Sequence, residues 1–208
     1  MRDYPWHPHA ENANPLPNNT LYLAADHLAT TDLPATHRFY TEAMGFTLVK
    51  AVVAPTPEGG GIWAKHVFYD TGGTHQPGAA TDGGELLAFW ELNGPQPPAF
   101  DPAMSTSHGL PVWTNHLAFF AQDLDDLHAR RDHWLACGHD VAEIDHGFCI
   151  SVYTTDPNGT MVEWCCDTRP LDETDRAQAE ALLLDGDPEL EVPPEPVFHL
   201  AADFAPAG

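Results

Sequence analysis

A short apolar run carrying one histidine occurs twice: Asp26-His27-Leu28-Ala29 and, 89 residues later, Asn115-His116-Leu117-Ala118. Each copy ends a short apolar strand and is followed by an acidic stretch. Apolar residues then recur at helical spacing. In the first copy Leu33 to Met44 places Ala35, Phe39 and Ala43 on one face, and Gly45 stands at the stop. In the second, Asp123 is an N-cap, Leu124, Leu127, Arg131, Trp134 and Leu135 form the stripe that runs to Cys137, and Gly138 stands at the stop. Strand-like segments follow both helices: Phe46 to Val53, Trp63 to Asp70 and Leu86 to Glu91, then His139 to Ile144, Cys149 to Thr155 and Thr160 to Cys166. The pattern is β-α-β-β-β twice, and a repeat of this kind is the strongest clue to architecture. One module alone would leave a face of its curved sheet uncovered. The expectation is therefore an α+β fold, two paired βαβββ modules forming a curved mixed sheet around a cleft.

The boundaries follow from composition. Residues 1–19, broken by Pro5, Pro8, Pro15 and Pro17, read as an arm; 20–94 and 112–169 are the modules; 95–111, with its prolines, is the linker. Residues 170–208 read as an acidic helix over Asp172 to Leu184 and a Pro-broken tail.

Charge narrows the partners. With 8 Lys+Arg against 31 Asp+Glu, a formal net charge of −23, no basic run exists to release counterions from nucleic acid or to meet an anionic membrane. No stretch approaches the ~18 apolar residues of a membrane span, and residues 1–15 show no apolar signal core, so a soluble cytoplasmic protein is expected. Cys137, Cys149, Cys165 and Cys166 lack CxxC spacing and read mostly as buried thiols. The 13 histidines beside 6 Trp, 10 Phe and 5 Tyr suggest a metal site in an aromatic-lined pocket.

Three residues could build that site. His27 and His116 hold equivalent places in the two repeats, and repeat symmetry would bring them to opposite walls of one cleft. Glu163 lies mid-strand in Thr160-Met161-Val162-Glu163-Trp164-Cys165, behind the turn Asp156-Pro157-Asn158-Gly159, where a charge must be paired or metal-bound to be tolerated. Two imidazoles and one carboxylate with open positions make the facial triad of non-haem Fe(II) oxygenases. The competing account is two packed core histidines and an ion-paired glutamate.

At these residues the sequence resembles the vicinal oxygen chelate superfamily, which includes glyoxalase I, fosfomycin-resistance and bleomycin-binding proteins and type I extradiol dioxygenases. The resemblance runs from Leu21 to Arg169. It is carried by Asp26-His27-Leu28 with Phe39-Tyr40 and Met44-Gly45-Phe46, by Asn115-His116-Leu117-Ala118, and by Tyr153 through Glu163. It implies paired βαβββ modules with His27, His116 and Glu163 as metal ligands. Glyoxalase-like members add a fourth ligand on the last strand of the first module. Aligning Leu86–Trp90 with Met161–Cys165 sets Ala88 opposite Glu163, and Glu91 falls on the other face of an unbulged strand.

Ile144-Asp145-His146-Gly147-Phe148, then Tyr153, then Glu163, resembles the end of an extradiol dioxygenase module. That likeness implies a role for Tyr153 in hydrogen bonding a catecholate oxygen and for His146 in moving protons. The family's acid–base histidine at the start of the first module's last strand is missing, since Gly84 or Glu85 stands there; His66 and His75 are the possible substitutes. The implied activity is Fe(II)- or Mn(II)-dependent ring cleavage of a small aromatic diol by O2, in aromatic catabolism, by a chain whose fold also builds homodimers. Phe89, Trp90, Phe119, Phe148 and Trp164 are candidate walls for a flat ring. The alternatives are a glyoxalase-like lyase or isomerase, which would need Glu91 or Glu85 as a fourth ligand, and a non-catalytic drug-binding relative.

Overall fold

The computed structural model describes residues 26–57, 59–72 and 85–204. The expected arm over 1–19, His75 and Gly84 lie outside them. The first module comprises β1 (Asp26–Thr30), α1 (Leu33–Arg38), β2 (Thr47–Pro55), β3 (Trp63–Asp70) and β4 (Leu86–Asn93). The second comprises β5 (His116–Phe120), α2 (Leu124–Ala136), β6 (Val141–Asp145), β7 (Cys149–Thr155) and β8 (Met161–Asp167), followed by α3 (Glu173–Leu184) and β9 (Val197–His199). The sheets run β1-β4-β3-β2 and β5-β8-β7-β6-β9, with β1/β4 and β5/β8 parallel. These are the two βαβββ modules that the repeat implies. No helix among the described residues is long and apolar enough to cross a membrane.

Local chemistry sets the helix starts. Asp32 accepts from the Ala35 N–H at 2.9 Å, and Asp123 from the Asp126 N–H at 2.8 Å, so each side chain satisfies an orphan donor of the first turn. Past Arg38 the first helix widens into a π-helical turn, Phe39–Ala43. That turn rotates the buried face, so Leu33, Thr36, Phe39, Tyr40 and Ala43 point inward and Ala35 is only half-buried, unlike the straight stripe expected from spacing. In α2 the buried residues are Leu127, Trp134 and Leu135, whereas Leu124 is exposed.

Strand alternation sorts the two faces of each sheet. Leu87 and Phe89 of β4, Val67 and Tyr69 of β3, and Val152, Val162 and Trp164 of β7 and β8 all enter one continuous core with the helices. Phe46 joins the modules there, 5.1 Å from the Phe119 ring and 6.2 Å from that of Trp164. The opposite faces, carrying His27, Ala88 and Trp90 in one sheet and His116, Met161 and Glu163 in the other, are turned away from this core.

A buried polar network also bridges the modules. Thr30 donates to Asn158 Oδ1 at 2.7 Å, Asn158 Nδ2 donates to Asp156 at 3.0 Å and to Thr36 at 3.3 Å, and the Tyr40 hydroxyl donates to Asp156 at 3.0 Å. Burial holds the Asp156 carboxyl above the usual carboxylate range despite these donors. The linker is seated on the same turn: the Met104 N–H donates to Thr160 Oγ1 at 3.2 Å, and Ala103 and Ser105 are buried.

Of the cysteines only Cys149 and Cys166 are buried; Cys165 is half-buried and Cys137 exposed. The Pro-broken tail is not featureless, because Val197–His199 pairs antiparallel with β6 and covers its edge. The corresponding edge strand of the first sheet, β2, is exposed along its whole length. Helix α3 forms where expected, with a capping box at Asp172 and Asp175, and has no buried residue.

Candidate metal centre

His116 opens β5, and Glu163 sits one strand over on β8. Ala118 is the register partner of Glu163, so His116 and Glu163 share the open face of the second sheet. His116 Nε2 lies 2.8 Å from Glu163 Oε2, while His116 Nδ1 lies 3.0 Å from the Trp113 carbonyl. Both ring nitrogens therefore face acceptors. An Nδ1–H held by a backbone carbonyl is the usual means of orienting a metal-binding imidazole. Glu163 is 6% exposed, so its charge has to be answered locally.

The second carboxylate oxygen is also engaged. Glu163 Oε1 accepts from the Tyr153 hydroxyl at 3.2 Å, and that hydroxyl lies 3.0 Å from His146 Nε2. His146 is exposed at the β6–β7 turn, where Gly147 adopts a φ of 82°, a left-handed conformation suited to glycine. Burial, followed by the Glu163 charge, holds the Tyr153 phenol above its usual range even though Ser151 opposes the shift, so the group is a neutral donor. His146, Tyr153, Glu163 and His116 thus form one hydrogen-bonded chain along the open face.

His27 lies on the other sheet. Its ring is 5.0 Å from that of His66, which stacks on Trp90 at 3.6 Å with an interplanar angle of 12°. Among the described residues no three His, Cys, Asp or Glu side chains converge on one point. One chain therefore offers a two-donor half-site, whose donor types fit a divalent metal, and a separate imidazole.

The register corrects the alignment of the two modules. His27 pairs with Ala88 and His116 with Met161, so the first-module counterpart of Glu163 is Trp90, not Ala88. Across the next strand His66 pairs with Trp90 as Tyr153 pairs with Glu163. Where the second module carries a carboxylate and a phenol, the first carries a stacked indole and imidazole. His66 is 8% exposed, and among the described residues its Nε2 has no hydrogen-bond partner. This pairing was hidden because the offset between copies, 89 residues at His27 and His116, shrinks to 73 at Trp90 and Glu163.

The candidate fourth ligand Glu91 is turned from the open face. Glu91 shares strand parity with Leu87 and Phe89 and accepts from the Leu33 N–H at 3.1 Å and from Asn93 at 3.0 Å, with Lys65 Nζ at 3.3 Å. Burial alone would raise its pKa, but these partners hold the carboxyl below the ordinary range. Glu85 stands just ahead of β4, where its carbonyl accepts from Thr71. Of the aromatic residues considered as walls, Phe89 and Trp164 belong to the core, Phe119 packs against it, and Trp90 and Phe148 are exposed.

The chain belongs to the Glyoxalase/Bleomycin resistance protein/Dioxygenase superfamily, whose family model matches residues 21–164. Among solved structures it is similar to the fosfomycin resistance protein FosX of Listeria monocytogenes, at 15% identity and a TM-score of 0.47, covering 70% of this chain and 93% of that one. It is also similar to lactoylglutathione lyase of Agrobacterium tumefaciens, at 20% identity and a TM-score of 0.43, covering 73% and 96%. No curated protein matches it.

Proposed function

We propose that the protein is a metal-dependent extradiol-type dioxygenase that opens the ring of a small aromatic diol with O2. The observation that carries this reading is the chain His146–Tyr153–Glu163–His116, which sets a neutral phenol and an imidazole beside two metal-type donors. The absence of a carboxylate at Trp90 supports it too, because three protein ligands leave positions free for substrate and O2.

His116 and Glu163 of one copy and His27 of a second copy would hold the metal, since the open faces of the two sheets point away from the core they share. A homodimer pairing the first module of each copy with the second module of the other would complete two sites. When bound, Fe(II), or Mn(II) on the same ligands, supplies Lewis acidity toward the diol and a path for its electrons to O2. Tyr153 donates a hydrogen bond to the ionised substrate oxygen, and His146, in contact with the Tyr153 hydroxyl, receives and returns the proton.

Two measurements test this. Anaerobically purified protein should contain iron or manganese and consume O2 when catechols are added; zinc or nickel with no oxygen uptake would instead favour a glyoxalase-like lyase. H27A and H116A should each be inactive alone. Co-expressed, they should regain about a quarter of wild-type activity, because half the dimers are mixed and each mixed dimer has one intact site. No recovery on mixing would refute the shared site.

A further inference from the structure

The βαβββ plan accounts for eight strands, and the ninth has a different use. Strand β9 extends the second sheet beyond β6, and its register places Phe198 opposite Ala142. Ala142 pairs with Tyr153, and Tyr153 pairs with Glu163. Glu163, Tyr153, Ala142 and Phe198 therefore form one lateral row on the open face. At the β9 end of that row is a cavity of about 390 Å³ lined by Val141, Ala142, Tyr153, Thr155, Met161 and Phe198. Met161 is the register partner of His116, so the cavity adjoins the candidate centre through two neighbours, Tyr153 and Met161.

Phe198 is 70% exposed, although a phenyl ring is ordinarily driven into a core. Here it walls a cavity whose apolar side comes from Ala142, Met161 and the Tyr153 ring, with His139, Asp140, Thr154 and Thr155 on the rest of the wall. The charged side chain in that lining is Asp140, which is exposed and accepts from the Ala201 N–H. An anionic group would be repelled by that carboxylate, whereas an alkyl or aryl group would gain by leaving water against Ala142, Met161 and Phe198.

We infer that this cavity is the pocket for an apolar substituent of the substrate, and that Phe198 of the C-terminal strand is a specificity-determining residue. The inference rests on the dioxygenase reading for the identity of the ring, but not for the existence of the pocket. It narrows the substrate class to aromatic diols bearing an apolar side group, with the diol at the centre and the side group directed past Tyr153 toward β9.

The test is equilibrium binding under anaerobic conditions of catechol, 4-methyl-, 4-ethyl-, 4-propyl- and 4-butylcatechol to the purified metal-loaded protein. The matching alkylbenzenes are run alongside, and oxygen uptake is measured separately. Each methylene that enters the pocket should tighten binding about fourfold. Phe198→Ala should flatten the series to less than about twofold per methylene, because the alkyl group then stays partly in water. Ala142→Leu, which fills the pocket while leaving Phe198 in place, should flatten it as well. A chain-length effect in the alkylbenzenes without oxygen uptake would support the pocket and defeat the dioxygenase reading. Oxygen uptake with a flat wild-type series, or a series unchanged in both variants, would overturn the pocket and leave the dioxygenase reading standing.

Discussion

Asn158 should hold the two modules in their mutual orientation, and its replacement offers a quantitative test. In Asn158→Ala three side-chain partners are lost: Thr30 at 2.7 Å, Thr36 at 3.3 Å and Asp156 at 3.0 Å. The Thr30 hydroxyl is not orphaned, because Thr36 Oγ1 lies 2.8 Å away and can take its proton. The loss is then about 1 kcal/mol for the better neutral bond, little for the long one, and about 2 kcal/mol for the donor to a buried carboxylate, roughly 3 kcal/mol in all. For a chain of this size that corresponds to a fall in Tm of about 6–12 °C. Asn158→Asp should be worse at neutral pH, since a second carboxylate would stand where the amide now donates to Asp156. Its folded-state pKa would be raised above the unfolded value. The penalty should therefore shrink as pH falls toward the ordinary carboxylate pKa, so that the Asp variant recovers on mild acidification and the Ala variant does not. Thermal and urea unfolding between pH 5 and 8 would measure both. A loss below about 1 kcal/mol in the Ala variant, or equal pH profiles for the two, would refute the reasoning.

Other outcomes follow from the same structure. Tyr153→Phe should retain the metal and lower kcat by about 100-fold, measured by elemental analysis and oxygen uptake; an unchanged kcat would remove the phenol from the reaction. Glu91→Ala should cost about 2 kcal/mol without loss of metal, because it strands the Leu33 N–H and Asn93. Since the Glu91 pKa is lowered in the folded state, its contribution is present at neutral pH and lost as pH falls through the acidic range, and Glu91→Gln should flatten stability there. With a formal net charge of −23, the fold should melt higher in 1 M than in 0.1 M NaCl as self-repulsion is screened; an unchanged or lower Tm would count against that reading.

The repeat, both long helices and most strands were legible because each imprints a period on the chain. What escaped detection depends on partners distant in sequence. The β9 segment is three residues long behind a proline run, and only the β6 edge makes it a strand. The π-helical turn at Phe39 leaves no period of its own in the sequence, and with it the expected Ala35 stripe was displaced. Of the candidate site, the sequence signalled Glu163 through an isolated charge in an apolar strand. The two histidines were signalled by repetition. Periodicity says which face of a sheet a residue occupies but not which sheet faces which: His27 and His116 lie on separate sheets, as the repeat implies, but among the described residues no three ligand-type side chains converge there. The pairing of His66 with Trp90 was lost in the unequal hairpins, which break the constant offset on which a repeat alignment depends.

The bare edge of the first sheet gives salt a second effect. Along β2, Leu48, Val49, Val52 and Val53 are all exposed, and Lys50 is the only charged residue in Thr47–Pro55. Such a strand is a template for lateral pairing, and one lysine is a weak guard against it. In dilute buffer the acidic surface keeps molecules apart before their edges can meet. The electrolyte that strengthens the individual fold also shortens that reach to a few ångströms, exposing β2 to its copies. Colloidal stability and folding stability should therefore move in opposite directions with ionic strength, and the most heat-resistant preparations should also be the first to scatter light.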